Sequence, residues 1–255
     1  MSRTCVVTGA ASGIGQATAN LLRSRGETVI GVDMHDTDVI ADLSTPDGLA
    51  EMVTSVEKAS GGSIDAVYGI AGVAYDTSLA VKVNFFGMVG TLTGLRPILA
   101  KSSAPRAQAI ASMASLTDHD EELVEAMLAF DREGAVARAD AIAGQNLIYG
   151  STKRAFARWI RRNAATPDWA GASIPLNAVA PGVIRTPMTA DMIATQEAET
   201  ELLKTVPMPL NGIAGPNVVA ELLTWLGSPA NTHLCGQVIF IDGGSDVVIR
   251  GDSTW

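Results

Sequence analysis

Cysteine, histidine and positive charge are all scarce in this sequence of 255 residues, which holds two Cys, three His, and 18 Lys and Arg against 27 Asp and Glu. Two thiols, Cys5 and Cys235, each inside an apparent buried strand, build no disulfide framework and read as reduced core cysteines. His35, His119 and His233 show no ligand spacing with one another or with the cysteines, so no metal site is expected and each histidine is read as a surface residue. No G-x-S-x-G elbow is present and no histidine lies near a serine motif, which removes nucleophilic hydrolysis. A net charge of −9 repels a polyanion, excluding nucleic acid or an anionic membrane as the main partner and leaving small neutral or apolar molecules. No uninterrupted apolar run reaches the roughly 18 residues of a membrane span. The first residues pass at once into the strand pattern Arg3-Thr-Cys-Val-Val-Thr-Gly9, from which we expect no signal peptide and a cytoplasmic setting.

What the chain does have is apolar surface, 47% of its residues, enough to bury a sizeable core. Short β-rich runs at 4–9, 28–33, 64–72, 107–113, 173–182 and 236–244 alternate with segments of helical spacing such as 13–26 and 47–60. Near-continuous apolar strands separated by helices predict an α/β fold, a doubly wound parallel sheet covered on both faces. No repeat or linker divides it, so residues 1–255 are read as a single domain. Residues 118–146 break the rhythm: they are acidic and helix-forming, with Leu123, Met127 and Phe130 on one stripe and Val124 and Leu128 beside it. They read as an inserted helical hairpin, either a core-facing amphipathic pair or a lid or subunit contact.

Four features carry chemistry. Gly9, Gly13 and Gly15 close the first strand and open the first helix, where glycines allow a tight turn and let backbone N–H groups hold a pyrophosphate. Asp33 ends the second strand, in the position where such folds set an acid on the adenosine ribose; a carboxylate there accepts from both ribose hydroxyls and repels a 2′-phosphate, selecting NAD. Asp42 and Leu43 are softer candidates for the adenine, since Asp42 fits equally a turn before a helix capped at Ser44 or Thr45. Tyr149 and Lys153 stand four residues apart, so at helical pitch the phenol and the ammonium address one small volume.

Together with these, Thr8, the Ala71-Gly72 pair, Asn84 in Val-Asn-Phe-Phe-Gly, a strand-end serine in Ile-Ala-Ser-Met-Ala-Ser, and Asn177-Ala-Val-Ala-Pro-Gly-Val-Ile-Arg-Thr-Pro-Met188 resemble the short-chain dehydrogenase/reductase family, from Arg3 to Gly244. The long insertion, Val39-Ile-Ala-Asp-Leu-Ser-Thr45 and the closing Gly236–Gly244 are similar to its bacterial 3α-hydroxysteroid dehydrogenase/carbonyl reductases. The resemblance implies a Rossmann-type fold, an NAD cofactor and interconversion of an apolar secondary alcohol with its carbonyl. It implies Tyr149 as acid/base, and Lys153 as the ammonium that lowers the phenol pKa and holds the nicotinamide ribose. Asn84 is implied as the link, through water, from Lys153 to solvent. A strand-end hydroxyl would stabilise the substrate oxygen: Ser112 is preferred, with Ser115 left as pocket lining. The cofactor would be held by Gly9, Ser12, Gly13, Ile14, Gly15, Asp33, Met34, Asp42, Leu43, Ala71, Gly72, Tyr149, Lys153, Pro181, Gly182, Ile184 and Thr186. A substrate loop at about 186–210, with Met188, Met192, Ile193 and Met208, would close on an apolar substrate. A homodimer is expected, a tetramer being the alternative, through the Tyr149 helix or the last strand.

Two departures stand out. The family's usual Asn-Ala-Gly reads Ile70-Ala71-Gly72, and Ser112 precedes Tyr149 by 37 residues, far more than is usual. Two other functions compete, a 3-oxoacyl-thioester reductase and a non-catalytic NAD-sensing protein.

Overall fold

β-branched and small apolar residues form seven strands: β1 (Thr4–Thr8), β2 (Thr28–Asp33), β3 (Val39–Ile40), β4 (Ala66–Gly69), β5 (Arg106–Ile110), β6 (Leu176–Pro181) and β7 (Val238–Ile241). In this computed structural model, which describes residues 2–253, they make one sheet in the order β3-β2-β1-β4-β5-β6-β7, every pair parallel. β5 and β6 are buried along their whole length, as strands covered on both faces must be. The expected strands are all present: β2 keeps its expected bounds, and the others are shorter than the runs in the sequence, because residues at the ends of those runs turn away into loops. The two-residue β3 was not anticipated, its pattern being too short to read.

The helices are α1 (Gly13–Ser24), α2 (Pro46–Ser60), α3 (Ser78–Ala80), a π-helical segment (Val81–Gly87) continuing into α4 (Met88–Leu99), α5 (Glu121–Leu128), α6 (Arg132–Ala141), α7 (Ile148–Asn163), α8 (Gln196–Thr205), α9 (Pro216–Leu226) and α10 (Ser245–Arg250). Thr45 caps α2, its hydroxyl accepting from the Gly48 N–H at 3.0 Å. One core layer packs α1 and α9 on the sheet; the other holds α2, α4, α7 and the hairpin α5–α6. Strand order reverses about β1 and β4, so a crevice opens at their carboxyl ends, the place where such sheets bind ligands.

Several sequence expectations need correction. Ser78–Leu99 is long and apolar enough to cross a membrane, with 61% of its most apolar window buried; its charged residues break the uninterrupted run sought in the sequence, and its place here is against the sheet. In the hairpin, Leu123, Val124 and Met127 are fully buried and belong to the main core, which is not how a lid is built. Phe130 leaves that stripe: it occupies the turn between α5 and α6 at φ 59° and is 53% exposed. Cys5 is buried, and burial pushes its thiol up to about 12; Cys235 is half-buried and precedes β7 rather than lying in it. His119 is half-buried too, its Nδ1 3.1 Å from the Thr117 carbonyl oxygen.

Candidate active site

The crevice begins at the β1–α1 turn. Gly9 has φ +70°, and a Cβ there would stand 3.0 Å from the Ala71 nitrogen; at Gly15 it would stand 2.0 Å from the Gly9 carbonyl oxygen. Only glycine lets this turn lie so close to the loop after β4 and to its own helix. Ser12 precedes α1 without spending its side chain on a cap, and no acid sits in the first turn. Ser12, Gly13, Ile14 and Gly15 line the cleft, so the positive dipole end of α1 borders it, the arrangement that accepts a phosphate. Beside it, Asp33 accepts from the Ala11 N–H at 3.0 Å and the Met34 N–H at 2.7 Å. This fixes the carboxylate at the end of β2, facing the same cleft. Asp42 accepts from the Ser44 N–H at 2.9 Å, so the turn reading of Asp42 holds while the residue also lines the cleft.

The cleft, about 360 Å³, is lined by every residue expected to hold the cofactor, from Gly9 to Thr186, and by Ser112. Thr8 explains why Ile70 costs little where the family has asparagine: its hydroxyl accepts from the N–H groups of both Ile70 and Ala71, at 2.9 and 3.0 Å. At Ile184 the carbonyl oxygen is taken by the Thr189 hydroxyl, a contact that no motif marks. Asn84 does not line the cleft. It is buried in the π-helical segment, accepting from the Val73 N–H and donating to the Val73 carbonyl, both at 2.8 Å. Its amide also donates to Thr152 at 3.3 Å, and Thr152 in turn donates to the Tyr149 carbonyl at 2.8 Å. Thr152, unnoticed in the sequence, thus links Asn84 to the helix that carries Tyr149.

Lys153 lies on α7 below Tyr149, 97% buried, its Nζ 3.3 Å from the Ile110 carbonyl oxygen and 5.7 Å from the centre of the phenol ring. Burial lowers its pKa to about 8. Burial also holds the Tyr149 phenol above its ordinary value, with a hydrogen bond from Ser112 opposing. The expectation that Lys153 brings the phenol down is therefore not met by the protein alone: the ammonium lies over the ring, and desolvation dominates. Ser112 lies at the N-terminus of a short turn, accepting from the Ala114 N–H at 3.1 Å. Ser115 does not line the cleft. It is 5% exposed and faces a separate hollow with Arg154 and Phe240. Of the methionines, Met188 lines the cleft, Met192 is 50% exposed elsewhere, and Met208 is buried behind Gly182. The turns Pro187–Thr189 and Asp191–Ile193 and helix α8 contain no buried residue. The apolar part of the cleft wall includes Val73, Leu79, Val83 and Met188; Leu79 and Val83, four apart at the start of a helix, were legible as a face but not as part of this site.

Against known proteins, a family model described as enoyl-(acyl carrier protein) reductase matches residues 9–246. The chain is 34% identical to a 3-alpha-hydroxysteroid dehydrogenase/carbonyl reductase of Comamonas testosteroni, over 96% of this chain and 97% of that one. It is 28% identical to a 3-oxoacyl-[acyl-carrier-protein] reductase of Thermotoga maritima, over 95% of this chain and 97% of the relative. The crystal structure of a 3-alpha-hydroxysteroid dehydrogenase from Pseudomonas sp. B-0831 complexed with NADH superposes with a TM-score of 0.90 at 37% identity, covering 98% and 99% of the two chains.

Proposed function

Because the chain belongs to the short-chain dehydrogenase/reductase family of nicotinamide-dependent oxidoreductases, we propose that it uses NAD to interconvert an apolar secondary alcohol, of hydroxysteroid or cyclic or aromatic type, with its ketone. The observation that carries this reading is the convergence of Asp33, Ser112, Tyr149 and Lys153 on one cleft with a glycine-built phosphate turn at its far end. Gly9, Ser12, Gly13, Ile14 and Gly15 would hold the pyrophosphate, and Asp33 the adenosine ribose, where its charge disfavours a 2′-phosphate. Bound nicotinamide supplies the hydride acceptor or donor and, when oxidised, a positive charge that favours the phenolate. Tyr149 takes the hydroxyl proton in oxidation and returns it in reduction. The Ser112 hydroxyl donates to the substrate oxygen as charge develops there. Lys153 holds the nicotinamide ribose. Val73, Leu79, Val83 and Met188 exclude water from the substrate side.

Among the described residues, Lys153 is the one cation on the cleft wall, which disfavours the acidic carrier of an acyl-thioester substrate. A non-catalytic sensor has no use for Tyr149 and Lys153 in one cleft. We take the protein to be a homodimer paired along β7, because α5 packs against α7 and takes up part of that helix. Following NADH absorbance over a panel of hydroxysteroids and of aryl and cyclic alcohols, with NAD and NADP in parallel, tests the proposal. Turnover is expected with NAD, at a kcat/KM about tenfold or more above that with NADP. NAD binding without turnover on any of the panel favours the sensor, and a preference for NADP contradicts the role given to Asp33.

A further inference from the structure

The gap of 37 residues between Ser112 and Tyr149 poses a physical problem. Two hydroxyls that must meet at one substrate oxygen, within a few tenths of an ångström, are joined by a long connection whose own closure specifies nothing so fine. Helix α7 also lacks the means to fix its own start. Its N-cap residue, Leu147, makes no side-chain cap, and its first turn carries no acid. The residues that lead into it include Gly144 at φ 85° and Asn146 at φ 58°, residue types that tolerate this backbone, and Gln145, whose N–H donates to the Ile142 carbonyl at 3.2 Å; none of these is a side-chain cap for the helix.

The missing cap comes from elsewhere. Asp76, in the loop between β4 and α3, accepts from the Gly144 N–H at 2.7 Å and the Asn146 N–H at 2.9 Å through Oδ2, and from the Ile148 N–H at 3.2 Å through Oδ1. Ile148 is the first residue of α7 and the neighbour of Tyr149. A carboxylate at that end also suits the helix dipole. The same loop carries Ala71, Gly72 and Val73, which line the cleft, and is held at Val73 by Asn84. One side chain therefore ties the cleft's floor to the end of the inserted hairpin and to the helix bearing the phenol.

We propose that Asp76 is a positioning residue for Tyr149: it caps α7 from outside and sets the register of the phenol after the insertion, without touching substrate or cofactor. The inference rests on the acid/base role given to Tyr149. The Gly9–Gly15 turn and Asp33, which would hold the far end of the cofactor, make no hydrogen bond to Asp76. Its loss should therefore lower kcat and leave cofactor affinity in place.

The test compares Asp76→Ala and Asp76→Asn with the unaltered protein. With a 3α-hydroxysteroid and NAD, Asp76→Ala is expected to lower kcat about tenfold to a hundredfold, with KM and the NADH dissociation constant within about threefold, since misplacing a catalytic group costs rate rather than binding. Asp76→Asn retains one acceptor oxygen and should fall between. Amide hydrogen exchange provides the arm that needs no turnover: in Asp76→Ala, exchange should quicken over 144–150 while the second half of α7 and strand β5 keep their protection. Unchanged exchange over 144–150 overturns the proposal even if no substrate is found. Unchanged kcat, or a fall in kcat matched by loss of NADH affinity and of protection throughout the fold, overturns it as well. If the unaltered protein binds NADH but turns over nothing, the acid/base reading fails, and the exchange arm alone decides whether Asp76 caps α7.

Discussion

At the scale of single residues, the site is a compromise between burial and charge. The role proposed for Lys153 uses it as a cation, yet burial lowers its pKa to about 8. A lysine whose folded pKa lies below its unfolded value binds its proton less readily in the fold than in the unfolded chain. The fold is therefore penalised below about pH 8, and the penalty is relieved as pH rises toward the ordinary lysine value. Lys153→Met lacks that titration. Its stability advantage over the unaltered protein, from denaturant unfolding at several pH values, should shrink by on the order of 3 kcal/mol between about pH 7 and pH 10. A gap that does not move with pH removes the buried ammonium from the account. Tyr149 and Lys153 were legible because a spacing of four fixes a shared face in any helix. Asp33 was legible because it ends a strand at a known distance from the glycine turn. Thr152 and Asp76 were not, since Asp76 lies 72 residues before Ile148 and nothing local marks a pairing made by the fold. Ser115 was misread for a related reason: a short turn after Ser112 rotates it to the other side.

At the scale of elements, the inserted hairpin decides how the rest is understood. Its amphipathic stripe was visible, but the sequence left open whether that stripe faced the core, a partner or the cleft. Leu123, Val124 and Met127 are fully buried against the layer that holds α4 and α7, so the hairpin is part of the scaffold behind the catalytic helix. Arg138 and Asp120 clamp its two helices with an ion pair, and Arg132 reaches the carbonyl of Ser44, which lines the cleft beside Asp42 and Leu43. Truncating Met127 to Ala should cost about 2–5 kcal/mol, as for a long side chain removed from a packed core. Phe130→Ala, at an exposed turn, should cost less than about 1 kcal/mol. Denaturant midpoints measure both, and equal small losses would mean that the hairpin lies loosely on the surface. Phe130 was assigned to the buried stripe because the helical period was carried through a residue that ends the helix at positive φ.

At the scale of the whole molecule, the parallel doubly wound sheet was legible from its alternating strands and helices, because strands buried on both faces have no polar side to hide. The ends of the strands other than β2, and the edge strand β3, were not legible, since pairing rather than composition ends a strand. The same holds for Ser78–Leu99, whose composition suits a membrane as well as a core and whose position is settled only by the sheet it covers. The fold sets the carboxyl ends of β1, β2, β4, β5 and β6 around a single cleft. The distant motifs of the sequence lie together for that reason, and the proposed chemistry passes one proton through one phenol. The direct measurement is kcat/KM and NADH affinity for Tyr149→Phe with a hydroxysteroid that the unaltered protein turns over. The phenyl ring keeps the packing and removes only the hydroxyl, so NADH should bind within a few-fold of normal while turnover falls by about 10²–10⁴. Retention of a tenth or more of the activity would contradict the role of Tyr149, and with it the mechanism.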